Sequence, residues 1–160
     1  MKLFPLDSFP ADRPAAIDDA GHVLSYGELT QVFVRLAVKV PTRTVALVLT
    51  RNTLGCIAAI VALIKQGVVP ILLDASASDA TVKLYLVRYQ PEVLVVPTVM
   101  QEQYSLHACL LSIFDYTVLA TGVEQNRPIL HPDLTLLLST SGSTGNPKLV
   151  RQSWRNLLSN

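Results

Sequence analysis

The chain has 160 residues, of which 50% are apolar and 16% charged, and its formal net charge is +1. That length suits one domain with a substantial core, and the apolar fraction excludes a disordered tail or linker. The charge balance gives no support for a nucleic-acid-binding protein or a polybasic membrane-surface protein.

Residues 1–14 contain three of the ten prolines and read as an irregular arm, with 15–160 as the domain proper. Met1 to Asp7 carries no apolar signal core. Ala15-Ala16-Ile17 and His22-Val23-Leu24 flank Asp18-Asp19-Ala20-Gly21, which predicts a small hairpin. Ser25 and Glu28 have capping-box spacing. Leu29, Val32, Phe33 and Leu36 follow at helical spacing, so a helix is expected from Tyr26 to Val38, stopped by Pro41.

Thr44 to Thr50 is a continuous apolar run rich in β-branched residues, as in a parallel strand covered on both faces. Asn52 is the expected cap of a helix reaching Gln66, with Gly67 as its terminator. The apolar stretch between Arg51 and Lys65 is too short to span a bilayer, and a cytoplasmic location is the expectation. Val68 to Leu73 reads as a strand closed by Asp74. Ser78 caps a helix that ends before Pro91, and Val93 to Val96 is a third buried strand. Residues 101–112 are expected as a helix, Tyr116–Ala120 and Leu134–Leu138 as strands, and a last helix starts near Trp154. Strands alternating with helices imply an α/β fold: a doubly wound, mainly parallel sheet flanked by helices.

Cys56 and Cys109 both sit in apolar runs and read as buried free thiols, with no cysteine or histidine spacing that suggests a metal. His22, His107 and His131 have no partner at ligand or triad spacing and read as surface or capping residues. Tyr85 and Tyr89, four apart, read as packing residues, Asp74 as the cap of the next loop, and Trp154 as a core or interface anchor.

The segment Ser139-Thr140-Ser141-Gly142-Ser143-Thr144-Gly145-Asn146-Pro147-Lys148 follows the strand at 134–138 and carries the chemistry. Gly142 and Gly145 let backbone amides converge on an anion. The hydroxyls of Ser139, Thr140, Ser141, Ser143 and Thr144 add donors. From Asp133 onward the one acid faces Lys148, Arg151 and Arg155. This composition suits a polyphosphate; a plain Ser/Gly turn between two strands is the bland alternative. The nucleoside-triphosphatase pattern Gly-x-x-x-x-Gly-Lys-Ser/Thr is absent. So are the dinucleotide fingerprint and the Gly-x-Ser-x-Gly elbow of serine hydrolases.

Thr140 through Lys148 matches at every fixed position the Thr-Ser-Gly-Ser/Thr-Thr-Gly-x-Pro-Lys signature of the adenylate-forming superfamily, which the chain therefore resembles. Acyl-CoA synthetases, peptide-synthetase adenylation domains and luciferases are among its members. Supporting stretches lie upstream in order: Leu24 to Leu29, Leu63 to Gly67 continuing to Asp74, and Gln90 to Leu94.

The resemblance implies an ATP-dependent ligase that joins a carboxylate to AMP, releases pyrophosphate, and passes the acyl group to a coenzyme A or pantetheine thiol. Thr140, Ser141, Gly142, Ser143, Thr144 and Gly145 would then wrap the β- and γ-phosphates. Lys148 would neutralise phosphate charge. Mg²⁺ would lie near Ser143 or Thr144, and Lys148 and Thr144 would be the positioning residues of the reaction.

Leu149 stands where the family has Gly or Ala, Trp154 where it commonly has His, and Gln66 where it has a small residue. By the same resemblance, the adenine, ribose and Mg²⁺ sites and a catalytic lysine lie downstream of this loop. The chain thus reads as the N-terminal part of a larger enzyme, cut after the phosphate loop and inactive alone. A homodimer through the apolar surface so exposed is left open. The alternative is a non-catalytic nucleotide-binding or interaction module, or a subunit completed by a partner chain.

Overall fold

A computed structural model describes residues 4–123, 129–140 and 148–159, with Thr140 described by its backbone. The short hairpin pairs β1 (Pro14–Ile17) with β2 (Val23–Ser25). The arm before it is packed onto the domain. Leu6 is buried, the Phe9 ring lies 4.5 Å from the Tyr26 ring, and the Gly27 amide donates to the Ala11 carbonyl at 2.8 Å. A Cβ on Gly27 would sit 2.9 Å from that carbonyl, so the arm can approach only because residue 27 is glycine.

Helix α1 (Tyr26–Lys39) opens with the expected capping box. The Glu28 amide donates to the Ser25 hydroxyl, and the Ser25 amide donates to the Glu28 carboxylate at 2.8 Å. Strand β3 (Val45–Thr50) is buried through its first five residues. Helix α2 (Leu54–Gln66) is capped by Thr53, one residue later than expected: its hydroxyl accepts from the Cys56 amide, and Asn52 belongs to the preceding turn. Gly67 ends α2 in the left-handed region at φ 79°.

Strand β4 (Val69–Asp74), helix α3 (Asp79–Tyr89, capped by Ser78) and strand β5 (Val93–Pro97) match expectation closely. The helix expected at 101–112 does not form. A 3-10 segment covers Thr98–Tyr104, and β6 (Ala108–Ile113) turns through Phe114 and Asp115 into β7 (Tyr116–Ala120). Pairing with β7 decides the state of the run at 108–113.

Among the described residues, seven strands form one sheet in the order β6-β7-β5-β3-β4-β8-β9, with β8 at Leu134–Thr140 and β9 at Lys148–Ser153. The central strands β5, β3, β4 and β8 are parallel, and both flanks are antiparallel. The expected mainly parallel sheet is thus the centre of a mixed one. Leu36, Ala59 and Leu63 pack on one face against Ala46, Val48 and Val95. Val82 and Tyr85 pack on the other against Leu47, Leu49 and Leu94. Helices therefore cover both faces, as the double winding requires. Strand β9 was not anticipated, and α4 (Trp154–Ser159) starts where expected. No helix among the described residues is long and apolar enough to cross a membrane.

Candidate phosphate site

Thr140 and Lys148 are cross-strand partners, the last residue of β8 and the first of β9. The segment between them, Ser141 to Pro147, lies outside the described residues. So do the candidate residues Ser141, Gly142, Ser143, Thr144 and Gly145. Thr140 and Lys148 fix where the two ends of that segment leave the sheet.

β8 is the last parallel strand, and the segment departs from its carboxyl end, where open α/β sheets place their ligands. Lys148 is exposed. Strand alternation puts Leu149, the departure from the family pattern, on the opposite face, where it packs in the α3-side core beside Leu137. A larger residue at 149 thus fills that core and leaves the lysine on its own face.

Ser139 also lies on the α3 side, beside Tyr85. Burial and the neighbouring Tyr89 push the Tyr85 phenol up, opposed by the Ser139 hydroxyl and Arg88. Ser139, counted among the anion donors by composition, is therefore engaged with a core tyrosine. Trp154 is half-buried, and the Arg155 guanidinium lies 5.2 Å from its ring. The Ser153 and Asn156 side chains exchange hydrogen bonds with one another's amides and start α4.

Six other expected residues fall as follows. Asp74 caps the next loop by accepting from the Ser76 hydroxyl and from the Ser76 amide at 2.7 Å, and these bonds, the hydroxyl's first, lower its pKa. His22 pairs with Asp18 at 2.9 Å, and His131 accepts from the Asp133 amide. Cys56 is buried, but Cys109 is exposed on edge strand β6, because the irregularity between Cys109 and Leu111 turns it away from the face on which Leu111 and Ile113 are buried. Gln66 donates its side-chain amide to the Val40 carbonyl at 3.0 Å, which gives this departure a capping role at the end of α1.

Arg43 was missed by sequence reading. It sits between α1 and β3 in the left-handed region at φ 60°. Its guanidinium donates to the carbonyls of Leu130, His131 and Leu134, at 3.1, 2.7 and 3.4 Å, where the chain enters β8. No local pattern signals a contact across so much sequence.

An open cavity of about 530 Å³ lies at the carboxyl end of β3, lined among others by Arg51, Asn52, Thr53, Cys56, Ile57 and Leu72. Its lining residue Leu72 lies on β4, the strand that pairs with β8.

Open α/β sheets covered by helices place their ligands at the carboxyl ends of the parallel strands, where this glycine- and hydroxyl-rich segment begins. The AMP-binding enzyme family model matches residues 6–160, and the chain belongs to that family. Solved structures agree in fold. Apo MatB from Rhodopseudomonas palustris superposes with a TM-score of 0.70 at 18% identity, covering 98% of this chain and 35% of that one. The O-succinylbenzoate coenzyme A synthetase of Bacillus subtilis, solved with AMP, gives 0.63 at 20% identity over 93% of this chain and 41% of its own. The N-terminal subdomain of Klebsiella oxytoca NpsA gives 0.59 at 22% identity, covering 89% and 36%. No curated protein sequence matches the chain. The 160 residues thus span well under half the length of these structures.

Proposed function

We propose that this chain is the N-terminal portion of an ATP-dependent, AMP-forming ligase that activates a carboxylic acid and transfers it to a thiol of coenzyme A or a carrier pantetheine. One observation carries the reading: the nine-position phosphate signature at Thr140–Lys148 is flanked by cross-strand partners at the carboxyl end of β8, in a chain of the AMP-binding family.

In this reading Thr140, Ser141, Gly142, Ser143, Thr144 and Gly145 donate to the β- and γ-phosphates of ATP. Attack of a carboxylate oxygen on the α-phosphorus forms the acyl–phosphate bond and breaks the bond to pyrophosphate. Negative charge gathers on that leaving group, so donors held beforehand in place lower the barrier. Lys148 contributes a fixed positive charge to the same end. The hydroxyl donors of Ser143 and Thr144 are hard oxygens of the kind Mg²⁺ prefers, and they would hold that ion beside the phosphates. A synthetase structure with ATP and magnesium is among the fold relatives and supports this choice of cofactor. None of these residues is a nucleophile.

The chain's share of its relatives' length supports a second element of the proposal: the 160 residues bind the triphosphate and do not complete adenylation alone. The test is twofold. Purified chain is titrated with Mg·ATP, and acid-dependent pyrophosphate–ATP exchange is assayed. Binding without exchange is expected. Exchange by the chain alone overturns the second element. Absence of binding overturns the first.

A further inference from the structure

We propose that Arg43 is a positioning residue, which holds the β8–β9 hairpin and so sets the place of Thr140 and Lys148. The functional half of this inference rests on the phosphate-site reading above.

The hairpin joins the rest of the sheet along one neighbour, β4. β3 and β4 pair through six residues, from Val45↔Val69 to Thr50↔Asp74, whereas β4 and β8 pair through Ile71↔Leu137 and Leu72↔Leu138. Leu137 and Leu149 add packing on the α3 side. Leu130 packs against the same core where the chain enters β8. Arg43 adds a polar attachment at that entry, the opposite end of β8 from the candidate site.

The guanidinium is well suited to that task. One of its terminal nitrogens donates to both Leu130 and His131, and the other reaches Leu134. The His131 carbonyl also accepts the Leu134 amide at 2.9 Å, so Arg43 clasps the turn that starts β8. A planar fork with several fixed donors can span three carbonyls; an ammonium cannot hold the same set at once. The Arg43 backbone is itself tied down, since its amide donates to the Gly67 carbonyl at 3.0 Å. The clasp is thereby referred to the end of α2 and not to a loose loop.

The left-handed backbone of Arg43 separates this role from general stability. Glycine at that position relieves the backbone cost and removes the clasp. Hydrogen exchange of the 160-residue chain as Arg43→Gly and Arg43→Lys, beside the wild type, tests the anchoring. In Arg43→Gly, amides of 134–140 and 148–153 should exchange roughly tenfold faster or more, while those of β3 and β5 stay within about twofold of wild type. Arg43→Lys should show a smaller rise in the same peptides. Unchanged hairpin exchange, or a rise shared equally by β3 and β5, overturns the anchoring.

Titration with Mg·ATP tests the functional half. A loss of affinity of roughly fivefold or more in Arg43→Gly is expected, with partial recovery in Arg43→Lys. Full affinity despite a loosened hairpin overturns the positioning role. A wild type that binds no Mg·ATP overturns the phosphate-site reading instead, and the exchange contrast then decides the anchoring by itself.

Discussion

The Tyr116 hydroxyl donates to the Leu49 carbonyl at 2.9 Å and accepts the Arg51 amide at 2.8 Å. One fully buried phenol thus pairs both backbone groups where β3 leaves the sheet and turns toward α2. Burial, then the Cys56 thiol, raises its pKa far above the ordinary tyrosine value, so it stays a donor at any ordinary pH. Tyr116→Phe keeps the ring and strands both partners. It should cost about 1–3 kcal/mol, because each buried group then loses its bond without regaining water. Denaturant unfolding checks this; an unchanged midpoint would show that water or a backbone shift replaces the phenol.

Gln66 invites a milder test. Its amide caps the Val40 carbonyl across the gap between the ends of α1 and α2. Gln66→Ala, a return to the small residue of the family pattern, should lower stability by about 1 kcal/mol. A gain in stability would mean that the side chain is held there at a cost.

The capping box sets a pH dependence. Hydrogen bonds from the Ser25 amide, then its hydroxyl, hold the Glu28 carboxyl below the ordinary glutamate value of 4.5. A carboxylate with a depressed folded pKa adds stability above its unfolded pKa and loses it as pH falls through the folded one. Stability should therefore decline below about pH 4.5, with a smaller decline in Glu28→Gln. Equal acid slopes in the two proteins would place the titration elsewhere.

Thiol reactivity should split cleanly. Cys109 is exposed on an edge strand, whereas Cys56 is buried in the α2-side core. One thiol should label rapidly in the native chain, and the second only as it unfolds. Mapping by mass spectrometry decides it, and rapid labelling of Cys56 would contradict the packing of α2.

Lys148 carries the most direct functional prediction. Lys148→Ala should weaken Mg·ATP binding by roughly tenfold or more, as expected for loss of a charge-assisted phosphate contact. Its exposure predicts little change in the unfolding midpoint. Wild-type affinity in this variant would remove the lysine from the site.

The local elements were legible because their signals are local. Ser25 and Glu28 meet within one helical turn, Gly67 needs only its own backbone freedom to end α2, and the run Val45–Leu49 is apolar throughout because both its faces are covered. The signature at Thr140–Lys148 was legible for the same reason: nine adjacent residues carry it. The cap of α2 was misplaced by one position because Asn52 and Thr53 are equally good acceptors.

Other features depended on partners distant in sequence. Whether Ala108–Ile113 becomes helix or strand is decided by β7, and the strand at Lys148–Ser153 exists because β8 offers it an edge. The same pairing sends Leu149 into the α3-side core and sets Ser139 beside Tyr85. The Arg43 clasp spans 87 to 91 positions of sequence. The sequence by itself determined the caps of α1 and α3, the buried parallel strands and the composition of Thr140–Lys148, since each rests on residues a few positions apart. The order of the strands, the exposure of Cys109 and the contacts of Arg43 were decided by the tertiary structure, because burial and hydrogen bonding across the sheet exist once distant segments have met.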